Sequence, residues 1–208
     1  VEATEPFELN YRYLLKDNNG LDNFEWGTDR TIMVDPAAQE DLYLYDTWNN
    51  PGAIENVFMT SPFQDVLFKD NYIPVKAAVK RKYTHTFRVK APLLKKGEGL
   101  CLVGNVKALG AWDGAKCLPM SNENSPWWSV KVDLSKCKEE GVSYKYAIYD
   151  LEDKTFRYFE NGVDRYAPVS GDGKALTIVT DCFANFYNQS FHGAGVGIPV
   201  FSIRTKES

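Results

Sequence analysis

Surplus positive charge is absent from this 208-residue chain, in which 24 lysines and arginines stand against 28 aspartates and glutamates. Nucleic-acid binding relies on clustered cations that neutralise phosphates, so the net charge of −4 predicts that nucleic acid is not a partner. Long apolar runs are absent as well, and no stretch approaches the roughly 18 residues of a membrane helix. We therefore expect no membrane partner.

Cysteines and histidines are few and unfavourably spaced for chemistry. The two histidines, His85 and His192, support neither a Ser-His-Asp triad nor a His-rich metal site. The four cysteines contain no C-x-x-C pair, which argues against a zinc knuckle or a redox motif. We expect reduced cysteines in a cytoplasmic protein without metal or cofactor. The cysteines are Cys101, Cys117, Cys137 and Cys182.

Aromatic residues, in contrast, make up 14% of the chain and include five tryptophans. Helical periodicity is scarce, whereas alternating segments bounded by Gly, Pro, Asn and Asp recur at the intervals typical of sandwiches. We predict an all-β fold, an antiparallel β-sandwich with flat aromatic surfaces. The predicted strands are residues 84–89, 100–105, 128–133, 144–149, 156–159 and 175–179.

One pattern of aromatic and basic residues occurs twice, with an offset of about 133 residues, since 145 minus 12 is 133. This spacing suits a whole domain rather than a solenoid unit. In the second copy 61 residues separate Thr84 from Lys145, whereas only 11 residues precede Arg12, so we expect the first copy to lack its beginning. The first copy comprises Tyr11-Arg12-Tyr13, Phe24-Glu25-Trp26 and Asp29-Arg30; the second comprises Tyr144-Lys145-Tyr146, Arg157-Tyr158-Phe159 and Asp164-Arg165.

The repeat predicts four segments. Residues 1–48 are the later part of a first module, and residues 83–184 are a complete second module. Residues 49–82 have the composition of a linker with some local packing, because they contain Asn49-Asn50-Pro51-Gly52 and two further prolines. Residues 185–208 form a tail.

Trp112 lies on a glycine-containing loop directly after a predicted strand. An exposed indole is flat and rigid, so a sugar ring can lie against it at little cost in side-chain entropy. Lys145 and Asn161 are placed to hydrogen-bond the sugar hydroxyls. A single tryptophan in a sandwich is more often part of the core, so the sugar-binding interpretation depends on the ordered set of motifs around it.

That ordered set resembles the starch-binding carbohydrate-binding modules of family 20 over the whole of residues 83–184. The resemblance implies an immunoglobulin-like β-sandwich whose site pairs two aromatic platforms with a Lys and an Asn around a maltooligosaccharide. The motifs are Leu109-Gly110-Ala111-Trp112, Pro126-Trp127-Trp128-Ser129-Val130, Tyr144-Lys145-Tyr146, Phe159-Glu160-Asn161 and Asp164-Arg165.

Carried over by position, the resemblance makes Trp112 the first platform and Lys145 the polar strand residue. The second platform, a Trp in the family, falls on Phe159, and the family's Asn falls on Asp164. Both departures imply altered or weaker affinity, because Phe offers a smaller π face and no N–H. The implied carbohydrate-binding residues are Trp112, Lys145, Phe159, Glu160, Asn161 and Asp164, with a possible half-site of Arg12 and Trp26 in the first copy.

Two further residues receive structural roles from the same comparison. Arg165 is interpreted as the partner of a carboxylate within the sandwich, and Trp128 as a core residue, whereas Trp127 fits either the core or the surface.

In the tail, Ile198-Pro199-Val200-Phe201-Ser202-Ile203-Arg204 resembles the opening of the catalytic barrel in family 77 4-α-glucanotransferases of the disproportionating enzyme 2 type. Such enzymes carry tandem family 20 modules ahead of the barrel. The resemblance implies a non-catalytic region that holds starch, glycogen or maltooligosaccharide near the barrel of a parent transferase. Retaining transfer needs two carboxylates roughly 5 Å apart, and residues 185–208 cannot build that barrel. The alternative is an interaction or oligomerisation sandwich that no longer binds sugar.

Overall fold

The computed structural model describes residues 4–71, 73–77, 82–169 and 174–184, together with the backbone of residues 200–204. Strands dominate this part of the chain, and its helical elements are short. The strands are β1 (Phe7–Tyr11), β2 (Leu14–Lys16), β3 (Asp22–Phe24), β4 (Arg30–Val34), β5 (Asp41–Asp46), β6 (His85–Lys90), β7 (Glu98–Gly104), β8 (Leu118–Pro119), β9 (Ser121–Asn124), β10 (Trp127–Val132), β11 (Gly141–Asp150), β12 (Thr155–Phe159), β13 (Arg165–Pro168), β14 (Ala175–Cys182) and β15 (Val200–Arg204). The helical elements are α1 (Glu55–Phe58), a π-helix (Pro62–Leu67) and 3₁₀ turns at Lys69–Asn71, Lys107–Leu109 and Gly114–Lys116.

Two sheets form a sandwich around the core of the second repeat. One sheet has the order β15-β5-β14-β6-β10-β9, and the other has the order β12-β11-β7-β8 with β13 paired to the start of β11. This arrangement confirms the predicted β-sandwich, and each predicted strand of the second repeat lies within three residues of an observed one. The pairing is not purely antiparallel, because β14 runs parallel to both β5 and β6.

The core follows from the period-two alternation of the strands. On β11, Tyr144 and Tyr146 are buried while Lys145 between them is half-buried on the other face. Trp128 on β10 is 1% exposed, which confirms its prediction as a core residue. The rings of Phe87 and Tyr144 meet edge to face, with centroids 4.9 Å apart. Each large side chain buried in this way stabilises the fold by about 1.5–3 kcal/mol.

The first repeat docks on the second by extending one of its sheets. Strand β5 lies beside β14 in parallel, with Asp46 opposite Thr180. Leu42 and Leu44 of β5 are buried in a cluster that Ile178 of β14 completes. Both repeats therefore share one continuous sheet.

The segment predicted as a linker contains folded structure. Phe58, Phe63 and Phe68 pack their rings together with centroid separations of 5.1 to 6.2 Å. Asn56 is buried and accepts a hydrogen bond from the Lys90 ammonium at 2.9 Å, which ties α1 to β6. The predicted barrel opening at residues 185–208 lies outside the described residues, apart from the backbone of β15. Within the described residues, no helix has the length and apolar character of a membrane span.

Candidate functional site

The loop after β7 holds Trp112 in an uncommon backbone conformation. Three successive residues, Gly110, Ala111 and Trp112, have φ values of 86°, 52° and 61°. The left-handed region costs a residue with a Cβ roughly 1–2 kcal/mol. Hydrogen bonds maintain this loop, since the Trp112 amide donates to the Gly104 carbonyl at 2.8 Å. Strain of this kind persists where the surrounding structure fixes it, and here it presents an indole that is 36% exposed.

Phe159 lies beside Trp112. The two ring centroids are 6.1 Å apart and the ring planes meet at 80°. Phe156 supports Phe159 from behind, with centroids 4.8 Å apart, and Phe159 is itself 37% exposed. The structure thus brings the two predicted platforms together as two walls of an open corner.

Lys145 reaches the same loop from β11. Its ammonium donates to the Gly162 carbonyl at 2.6 Å, in the turn between β12 and β13. An ammonium has three donors, so two remain after this contact. Asn161 and Asp164 of that turn are exposed, and the Asn161 amide is anchored to the Ala184 carbonyl at 2.9 Å. These polar groups border the aromatic corner.

Glu160 has a structural role rather than the predicted contact with sugar. It is 4% exposed, and Arg165 donates to both of its carboxylate oxygens, at 2.7 and 2.9 Å. The backbone amides of Tyr146 and Ala184 donate to the same carboxylate. Because its oxygens are committed inside the sandwich, Glu160 is not available to a ligand, and we remove it from the candidate site.

Arg165 and Asp181 complete a buried network beneath the site. Arg165 lies 3.1 Å from Asp181, and the hydroxyls of Tyr144 and Tyr146 donate to the other Asp181 oxygen at 2.8 and 2.9 Å. Burial, reinforced by the Asp181 carboxylate, raises the pKa of both tyrosines well above its ordinary value. The predicted pairing of Arg165 is confirmed, whereas Asp181 was not identified from the sequence.

The first repeat contains the same network. The hydroxyls of Tyr11 and Tyr13 donate to Asp46 at 2.7 and 3.0 Å. Arg30 lies 3.2 Å from Asp46 and donates to both oxygens of Glu25. The tyrosines precede their counterparts by 133 residues, as 144 minus 11 gives, and the charged residues precede theirs by 135, as 181 minus 46 gives. A sequence comparison continued to the aspartates would have found Asp181.

The predicted half-site of Arg12 and Trp26 needs a correction in register. Phe24 pairs with Leu14 across β2 and β3, as Phe159 pairs with Ala147 across β12 and β11. Phe24, and not Trp26, therefore occupies the second-platform position of the first repeat. The repeats diverge by two residues between the tyrosines and this strand, and a visual match of aromatic residues did not detect the shift.

Arg12 and Trp26 are committed to other contacts. The Arg12 guanidinium lies over the Phe24 ring, 5.3 Å from its centroid, and donates to the Glu25 carbonyl at 2.7 Å. Trp26 lines a groove whose other wall includes Trp127, a half-buried residue beneath Arg88. The structure does not bring Arg12 and Trp26 together as a sugar clamp.

Comparison with known proteins was made against families, sequences and structures. Residues 82–179 match the family model described as starch binding domain, the family 20 carbohydrate-binding module. Over its full length the chain is 25% identical to a protein of Oryza sativa subsp. japonica named 4-alpha-glucanotransferase DPE2, of which it spans 23%.

Two solved structures are also similar to parts of the chain. The family 20 module of the maltotetraose-forming amylase from Pseudomonas saccharophila STB07 is 20% identical, with a TM-score of 0.38 over 47% of this chain and 97% of that one. The glucoamylase of Hormoconis resinae is 29% identical, with a TM-score of 0.41 over 50% of this chain and 18% of that one.

Proposed function

We propose, from the premise that residues 82–179 of this chain are a starch binding domain, that the chain binds α-glucans at the corner formed by Trp112 and Phe159. The observation that carries the proposal is the strained loop that presents Trp112 edge-on to an exposed Phe159. An exposed aromatic pair held at a cost in backbone energy has the character of a binding site rather than of a core.

The shape of the corner suits an α-1,4-linked glucan. Successive glucosyl rings of such a chain turn relative to each other, so two neighbouring rings can rest on two walls that meet near a right angle. Each ring would present its C–H face to one aromatic face. Lys145, Asn161 and Asp164 would hydrogen-bond the outward hydroxyls, and burying these aromatic faces supplies most of the affinity.

We further propose that the chain is the non-catalytic glucan-binding part of a 4-α-glucanotransferase. The similarity over the full chain to a protein of that name supports this role. In it the sandwich would hold starch, glycogen or a maltooligosaccharide near a catalytic barrel, in a cytoplasmic enzyme. The first repeat would be a second module of the same kind.

Calorimetric titration with maltoheptaose and β-cyclodextrin tests the binding proposal. We expect Trp112→Ala to weaken affinity at least tenfold, because it removes a stacking face of roughly 1.4 kcal/mol or more. Tyr166→Ala is a matched control, since Tyr166 is a 57% exposed aromatic residue on β13 and outside the corner.

Failure of the wild-type chain to bind either ligand or to be retained on amylose would exclude the proposed site. A change in the oligomeric state of the parent protein on deletion of this region would then favour the interaction sandwich. The replacement of the family's Trp by Phe159 is the observation on which that second function rests.

A further inference from the structure

A cavity of about 280 Å³ lies between the segment that follows β5 and the second repeat. Trp48, Ala53 and Glu55 line it from the first side. From the second side it is lined by Lys90, Pro92, Leu94, Ile148 and Phe183. Its volume is near the lower end of small-molecule pockets, which suits one or two sugar rings rather than a long chain.

Glu55 gives the cavity an unsatisfied acceptor. Its side chain is buried, with 3% of the residue exposed, and within the described part of the chain its Oε1 has no hydrogen-bond partner. A buried polar atom left unpaired costs a protein free energy, so such atoms are uncommon without a reason. A donor supplied by a ligand would remove that cost.

The nearby cation is engaged elsewhere. Lys90 also lines the cavity, but its ammonium donates to the side-chain oxygens of Asn49 and Asn56. Among the ion pairs of the described residues, none joins Lys90 to Glu55. The carboxylate is therefore left to accept from a neutral donor such as a hydroxyl.

The other walls select the class of ligand. Pro92, Leu94 and Phe183 offer apolar surface, and Trp48 adds an aromatic side chain. A buried carboxylate disfavours an anionic ligand, since like charges repel strongly away from water. Apolar and aromatic walls combined with a hydroxyl acceptor match a neutral sugar ring, whose C–H faces are apolar and whose rim carries hydroxyls.

The cavity also adjoins the aromatic corner, because Phe159 and Asn161 line it too. We propose that it is a second subsite, in which a glucosyl residue donates a hydroxyl to Glu55 and lies against Trp48. This inference rests on the proposed α-glucan function for its choice of ligand. It adds a sugar contact supplied by residues 48–55, outside the starch binding domain.

Chemical-shift titration of the ¹⁵N-labelled full chain with maltose and maltotriose tests the subsite. We expect the amides of Ala53, Glu55 and Phe183 to shift, and Glu55→Gln to weaken the dissociation constant fitted at those amides about tenfold, since it removes a charged acceptor. The shifts of the Trp112 indole should be unchanged by that variant. Glu123→Gln, an exposed glutamate on β9, is the matched control.

A second variant guards against a folding defect in the first. Ala53→Leu keeps Glu55 and fills the cavity, so it should abolish the maltose shifts at residues 53–55 while Trp112 still responds. Shifts at Trp112 without any at residues 53–55, or cavity shifts with unchanged affinity in Glu55→Gln, would overturn the subsite and leave the proposed function standing. Cavity shifts without a response at Trp112 would support the subsite and contradict the aromatic corner. No shift anywhere in the wild-type chain would refute both.

Discussion

The two repeats build the same buried network within different surroundings. In the second repeat β11 runs for ten residues, from Gly141 to Asp150, with β7 along one edge and β13 and β12 along the other. In the described part of the first repeat, the equivalent stretch divides into β1 and β2, which pair only with β4 and β3 respectively. A strand hydrogen-bonded on both edges stays continuous, whereas one paired on a single edge can break.

The surroundings also decide what each repeat presents to solvent. Phe159 stands beside Trp112, which the strained loop after β7 supplies. Phe24 is 49% exposed, but its partner is the guanidinium of Arg12. Equal positions within a repeat therefore do not make equal sites, because the first platform comes from a distant part of the chain.

The largest effect that separates the repeats should come from their aspartates. Asp181→Ala leaves Arg165 and two tyrosine hydroxyls without a partner in a fully buried setting, and breaking such a pair costs about 3–5 kcal/mol. Asp46→Ala should cost less, because Tyr13 at 9% exposure is less enclosed than Tyr146 at 0%. Urea denaturation measures both. Equal losses would contradict the view that the second repeat is the better-packed one.

The next effect concerns His85, which belongs to the second repeat and is buried against Thr84 and the Pro168 carbonyl. Burial lowers its pKa below the ordinary 6.5. The unfolded chain then binds a proton that the folded chain refuses, so stability is present above pH 6.5 and falls as the pH drops further. The slope should reach at most about 1.4 kcal/mol per pH unit.

Thermal unfolding of the wild type and of His85→Gln between pH 7.5 and pH 5 measures this contribution. The variant should lose less stability over that range than the wild type, whatever its stability at pH 7.5. Parallel curves for the two proteins would show that other groups govern the pH dependence.

A smaller effect should distinguish the platforms. Phe159→Trp enlarges an aromatic face next to Trp112, so we expect maltoheptaose affinity to rise about threefold. Phe24→Trp makes the same change at the equivalent position of the first repeat and should leave affinity unchanged. Calorimetric titration of both variants decides, and a gain from Phe24→Trp would mean that the first repeat binds sugar in this chain.

The smallest effect should come from the loop that the second repeat alone contributes. Ala111→Gly removes the penalty of a φ of 52° but adds flexibility to the unfolded chain, so we expect a net gain of about 0.5 kcal/mol. Glucan affinity should fall slightly, because the loop becomes less rigid. A loss of stability in urea denaturation would argue against strain in the loop.

Local patterns in the sequence were sufficient for much of the second repeat. Alternation along 144–149 predicted β11, and the side chains of Tyr144 and Tyr146 are buried as a period of two requires. The ordered motifs also placed Trp112 and Phe159 in one site. These features are readable because each depends on residues close together in the chain or on a family pattern.

Other features depended on contacts between distant residues. The sequence alone determined that this is a β protein with two related halves and with an exposed aromatic site in the second. Only the tertiary structure decided that Glu160 is buried against Arg165, that β5 joins β14, and that residues 48–55 enclose a cavity with Glu55 inside. Burial and pairing of charged groups are set by neighbours in space, and a carboxylate in a loop has the same local sequence whether it faces solvent or an arginine.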